Sequence, residues 1–174
     1  MSLANRGKDF ERAMEAVNAL YQARGHAYTR FPTPYKVIRR QGPNLVVVPD
    51  SEAPPDYLLV AQGMSFVVDA KSTHENTWAL KLLELHQARF FDSWASQSIQ
   101  HRAGVVLSIH PEGQGESIWW VDWDVLAPVW HRWHGGHAAR GQASLSIQWL
   151  VRNAVQVQQM DWLAAALSTA LRDA

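Results

Sequence analysis

Between Gly7 and Ala23 the apolar residues Phe10, Met14, Val17, Leu20 and Tyr21 recur at spacings of three and four, which predicts one stripe of an amphipathic helix. Gly25 can end that helix. Phe31-Pro32-Thr33-Pro34 then leaves extended, because each proline disfavours the helical region for the residue before it. Tyr35 to Arg40 and Leu45 to Val48 are short β-prone runs around the turn cluster Gln41-Gly42-Pro43-Asn44, and they predict a hairpin. After a polar loop from Asp50 to Pro55, Asp56 to Val60 and Ser65 to Lys71 predict two strands flanking Gln62-Gly63. From Thr77 to about Ser98, Leu80, Leu83, Ala88, Phe91 and Trp94 follow helical spacing and predict one long helix, with Glu84 and Arg89 toward solvent. Gly104 to Ile109 reads as a buried strand with Ser117 to Val121 beside it. Asp122 or Asp124 is placed to cap a short helix toward Trp130, and Gly135 to Gly141 is loop-like. Leu145 to Leu150 predicts a strand, and Asp161 to Arg172 a terminal helix that starts on an N-cap residue. No repeat or linker interrupts the pattern, so residues 1–174 are expected to form one domain.

Composition narrows the function classes. The chain has 174 residues, 47% of them hydrophobic, enough for one core without staples. It has no cysteine, which excludes disulfides, thiol nucleophiles and zinc-thiolate sites and makes a reducing, cytoplasmic setting the default. No apolar run approaches the roughly 18 residues of a membrane helix, and Met1 to Phe10 is polar, so a soluble, untargeted protein is expected. Sixteen basic residues balance sixteen acidic ones, but the balance is uneven along the chain. Residues 1–40 carry eight Lys or Arg against three acids, whereas residues 41–80 carry Lys71 alone against five acids. A basic segment beside clustered carboxylates suits a protein in which phosphate and cation meet.

The hairpin around Gln62-Gly63 sets Val60 opposite Ser65, Leu58 opposite Val67 and Asp56 opposite Asp69. Directly opposed side chains share a face with β-carbons about 5 Å apart, and alternation puts Lys71 on that face too. Tyr57, Leu59, Phe66, Val68 and Ala70 form the other, apolar face, so the strands are expected to be buried on one side. Two carboxylates this close repel unless a cation lies between them. Magnesium prefers oxygen ligands, keeps several waters and shares a substrate phosphate, while a nearby ammonium can orient the attacking water. An acid, a second acid and a lysine are what phosphodiester hydrolysis requires.

Pro55-Asp56, twelve residues, then Asp69-Ala70-Lys71 resembles the PD-(D/E)xK nuclease signature. Asn5-Arg6-Gly7 with Glu11, Pro32-Thr33-Pro34, Pro55-Asp56-Tyr57 and His86-Gln87 are similar, in the same order, to segments of RecU-type Holliday junction resolvases. The resemblance covers about residues 5–110 and leaves 111–174 as an extension of the same domain. It implies an α/β, restriction-endonuclease-like core, a mixed central sheet flanked by helices. It further implies a Mg²⁺-dependent homodimeric endonuclease, with Mn²⁺ as an alternative ion, that cuts four-way DNA junctions in recombination and repair, at the nucleoid when acting. By the same resemblance Asp56, Asp69 and Glu11 would be metal ligands, Lys71 the motif lysine and Gln87 a helix glutamine near the metal. Arg6, Lys36, Arg39 and Arg40 would contact DNA, with Arg30 and Arg89 as further candidates. Asp69 stands where these resolvases usually carry Glu. The segment from Thr33 to Asp56, where a feature projecting into the junction is expected, is short. A nuclease of this fold acting on other DNA, or a silent branched-DNA-binding module, remains an alternative; crowding two carboxylates beside a lysine serves catalysis rather than binding.

His131, His134 and His137 are spaced by three, but Gly135-Gly136 argues against a helix presenting all three to a metal, and they are expected in a solvent-facing loop. Nine tryptophans are more than usual, and Trp119, Trp120, Trp123, Trp130 and Trp133 crowd one region, where core packing or a dimer interface is expected.

Overall fold

The structure, a computed structural model, describes residues 3–32, 34–49, 52–137 and 143–171, and of residues 3–8 and 49 the backbone alone. In chain order the elements are α1 (Leu3–Ala23), β1 (Ala27–Arg30), β2 (Tyr35–Gln41), β3 (Asn44–Pro49), β4 (Tyr57–Ala61), β5 (Met64–Thr73) and β6 (Thr77–Ala79). A 3₁₀ turn (Leu80–Leu82) leads into α2 (Leu85–Ala95), followed by β7 (His101–Ile109), β8 (Ser117–Asp122) and α3 (Trp123–His134). The chain continues through β9 (Ser144–Ser146), α4 (Ile147–Asn153), β10 (Val155–Gln156) and α5 (Trp162–Ala170). Thr33, Asp50, residues 138–141 of the expected loop and Arg172 of the expected last helix lie outside the described residues.

Six strands form one mixed sheet in the order β1-β4-β5-β7-β8-β10. All neighbours are antiparallel except β5 and β7, whose parallel pairing requires the crossover that β6, the 3₁₀ turn and α2 supply. The β4–β5 hairpin has the register expected from sequence, with Val60 opposite Ser65 and Leu58 opposite Val67. Its tip puts Gln62 at φ 52° and Gly63 at φ 77°, the two positive values that match a tight turn to the twist of the strands.

Helices cover both faces of the sheet. On one, Phe10, Met14 and Tyr21 of α1 and Trp162 and Leu163 of α5 pack against Tyr57, Leu59, Phe66 and Val68. On the other, Phe91 of α2, Leu126 and Trp130 of α3 and Leu150 of α4 pack against Val67, Val105 and Leu107. Strand β5 is therefore buried on both faces, not on one. The tryptophans are largely core, as composition suggested: Trp120, Trp123 and Trp130 are buried, and Trp120 stacks on Trp162 at 6.1 Å.

Four further expectations need correction. The long helix expected from Thr77 begins only at Leu85; Thr77–Ala79 instead pairs with Ser144–Ser146. The strand expected over Leu145–Leu150 turns helical at Ile147, because Ser146 accepts a hydrogen bond from the Trp149 amide at 3.2 Å and caps α4. The helix after Asp122 runs past Trp130 to His134, so His131 and His134 are helical and only His137 follows the helix. Leu20 faces solvent instead of the α1 stripe, while Asn18 is buried, accepting the Trp162 indole N–H at 2.9 Å.

Candidate active site

Asp56 stands immediately before β4, and its Oδ2 accepts the Ala70 backbone N–H at 2.8 Å. That bond crosses the hairpin and fixes Asp56 against Asp69. Asp69 lies on the α2 face of β5, and its sheet neighbour on β7 is Val105. Both it and Val105 are fully buried. Its carboxyl is raised to about 7, chiefly by burial; the Lys71 ammonium pulls against that rise, and the negative charge of Asp56 adds to it.

Lys71 follows two residues on, with its Nζ 2.8 Å from Asp69 Oδ2. The approach is an ion pair, not an aligned hydrogen bond, and leaves Oδ2 a buried oxygen with no aligned donor. Gln87, from the first turn of α2, donates through Nε2 to Asp69 Oδ1 at 2.8 Å and accepts through Oε1 from Lys71 Nζ at 3.3 Å. Its side chain is buried. Thus Asp56, Asp69, Lys71 and Gln87, separated in sequence, meet at one end of the β4–β5 hairpin beside the start of α2.

The remaining expected residues stand elsewhere. Glu11 is exposed on α1 and lies 3.9 Å from Arg30, which also pairs with Glu15. Among the described residues no three His, Cys, Asp or Glu side chains gather to hold a metal ion, so Glu11 does not join the two aspartates. The Arg6 side chain lies outside the described residues. Lys36, Arg39 and Arg40 are exposed on the separate β2–β3 ribbon, and Arg89 is exposed on α2. A bulge between Val37 and Arg39 puts Lys36 and Arg39 on one face of that ribbon, opposite Val48 and Val46, and Arg40 on the other.

Glu84 faces solvent as expected and is also the N-cap of α2. Its side chain accepts from the Gln87 backbone N–H, and Gln87 Oε1 accepts the Glu84 backbone N–H at 3.1 Å. The Glu-x-x-Gln spacing of this reciprocal box was the available signal. His131 Nε2 lies 3.1 Å from Asp92 Oδ1, a surface pairing between α3 and α2.

A site of oxygen donors fits a hard cation. Asp69 Oδ2, which pairs with Lys71 but has no aligned hydrogen-bond donor, and Asp56 beside it offer such an ion two carboxylates, and water and substrate would fill the remaining positions of an ion that keeps much of its hydration. A helix-flanked mixed sheet that holds two carboxylates and a lysine at one end defines a nuclease of the PD-(D/E)xK kind. The family model described as Recombination protein U matches residues 5–167, and the chain belongs to that family of Holliday junction resolvases. The match runs well past residue 110, where the sequence resemblance ends, so the tryptophan-rich third lies within the family region. Among solved structures the chain is similar to Hjc, a Holliday junction resolvase from the archaeal hyperthermophile Archaeoglobus fulgidus. That similarity has 16% identity and a TM-score of 0.38, covering 65% of this chain and 70% of that one. Comparison with curated proteins gave no match. No helix among the described residues is long and apolar enough to cross a membrane.

Proposed function

We propose that this resolvase hydrolyses phosphodiester bonds at four-way junctions with Mg²⁺, or Mn²⁺ in its place, held by Asp56 and Asp69. The observation that carries the reading is the buried Asp69 carboxyl, raised to about 7, with Oδ2 lacking an aligned donor and a second carboxylate beside it. Such a pair is costly without a cation and comfortable with one. The ion would polarise the phosphoryl oxygens and neutralise charge developing in the transition state. Lys71 supplies a fixed positive charge next to the attacked phosphate and orients the incoming water. Gln87 holds Asp69 and Lys71 in register.

DNA contacts are assigned to Lys36, Arg39 and Arg40 on the β2–β3 ribbon and to Arg6 near the start of α1. Tyr35, Val37, Ile38, Leu45 and Val47 are also exposed on this ribbon, which suits a feature that inserts between junction arms or meets a second copy. Each chain carries one such site, so symmetric cutting of two strands calls for a homodimer. Glu11 would reach the site only by leaving Arg30.

Replacing Asp56 or Asp69 by Asn tests the reading. Each change should cut junction cleavage by at least about 100-fold. DNA binding should persist or strengthen, because repulsion toward phosphate is relieved. Near-normal turnover in both variants would remove the proposed site.

A further inference from the structure

We propose that the backbone N–H of Glu84 is a positioning group for the reaction: it sets the orientation of the Gln87 amide and, through it, the geometry of Asp69 and Lys71. The inference rests on the site reading given above and adds to it a group outside the nuclease motif.

Gln87 has three polar partners. Its Oε1 accepts from Glu84 N at 3.1 Å and Lys71 Nζ at 3.3 Å, and its Nε2 donates to Asp69 Oδ1 at 2.8 Å. Only this orientation satisfies all three, since a flipped amide would set its NH₂ against two donors and its oxygen against a carboxylate. Lys71 alone cannot enforce it, because an ammonium on a four-carbon stem can move with the amide. The Glu84 N–H cannot move, being main chain at the fixed start of a helix. The turn before it is itself clamped: the Trp130 indole N–H lies 3.2 Å from the carbonyls of both Leu80 and Leu83. A buried tryptophan of α3 thus holds the turn that delivers the Glu84 amide. With Oδ1 of Asp69 occupied by Gln87, Oδ2 is kept facing Lys71 and available to a cation.

The backbone permits a direct test. Glu84 has φ −79° and ψ 154°, and Leu83 before it has φ −95° and ψ 116°, values that proline and a residue preceding proline both adopt. Glu84→Pro therefore deletes the N–H donor with little change in chain path, whereas Glu84→Ser keeps the N–H and a good capping oxygen. In Glu84→Pro, junction-cleavage kcat should fall about 10–100-fold, the usual range for a group that orients a metal ligand. Junction Kd measured in Ca²⁺ should stay within a few-fold, and the Gln87 side-chain NH₂ resonances should move toward the positions of an exposed glutamine in an ¹⁵N spectrum. Glu84→Ser should recover kcat to within a few-fold of wild type. If melting shows that Glu84→Pro does not fold, an ester bond placed between Leu83 and residue 84 removes the same N–H with the side chain intact. Wild-type kcat and unchanged Gln87 resonances in the proline or ester variant would overturn the inference, as would an equal loss in Glu84→Ser. Asp69→Asn run in parallel separates the two levels. If it is inactive while the proline variant is wild type, only the Glu84 inference fails; if Asp69→Asn cuts normally, the site reading itself fails.

Discussion

Asp69 shows how a buried charge is used. Its carboxyl, ordinarily near 3.8, is raised to about 7 in the fold, chiefly by burial against the Lys71 pull. Between those values the native state keeps a proton that the unfolded chain has released. Stability of the metal-free protein therefore falls as pH rises from about 4 to 7 and levels off above. Asp122, also raised by burial, adds to the fall in the same direction. Unfolding measured from pH 4 to 8 in EDTA should show this decline, and Asp69→Asn should flatten it and melt higher at pH 8, by about 2–4 °C for each kcal/mol recovered. Mg²⁺ should raise the melting temperature of the wild type at pH 8 but not that of Asp69→Asn. An undiminished decline in the variant would assign the effect to other carboxylates.

At the level of elements, β7 is the strand on which the site leans, and Gly104 sets its spacing from β8. A β-carbon there would lie 2.5 Å from the Trp120 ring and 2.7 Å from the Val121 carbonyl oxygen, and that ring is buried and stacked on Trp162. Gly104→Ala should cost about 1–3 kcal/mol, read as a lower urea midpoint with an unchanged slope. An unchanged midpoint would show that Trp120 can shift. The acid pair, its lysine and the hairpin register were legible in the sequence because a Gln-Gly turn and two-residue alternation determine them locally. The crossover was not. Leu80 and Leu83 fit helical spacing, yet the adjoining Thr77–Ala79 pairs with a strand nearly seventy residues away, and periodicity carries no trace of that pairing. Glu84 is a poor advertisement of an N-cap, which hid the true start of α2. Leu145, Ile147 and Trp149 alternate as a strand would, and only the Ser146 cap marks the helix.

For the molecule as a whole, a chain of zero net charge must meet DNA through a local surface. The β2–β3 ribbon is where Lys36, Arg39 and Arg40 stand clear of the main sheet. Replacing all three by Ala should weaken junction binding and lower the log–log salt slope by up to about 3. The loss should be greater for a four-way junction than for linear duplex if the ribbon enters the junction; equal losses would make these cations general phosphate contacts. The tryptophan-rich third contributes differently, since its Trp130 braces the turn that precedes Gln87, joining the last part of the chain to the candidate site. The most direct measurement is cleavage of labelled four-way junction, nicked, flapped and linear DNA by the intact protein in Mg²⁺, in Mn²⁺ and in EDTA. The four-way junction should be cut symmetrically and in preference to the other substrates, with either ion and not in EDTA. Cleavage that persists in EDTA, or that ignores the junction, would contradict a cation-dependent resolvase built on Asp56, Asp69 and Lys71.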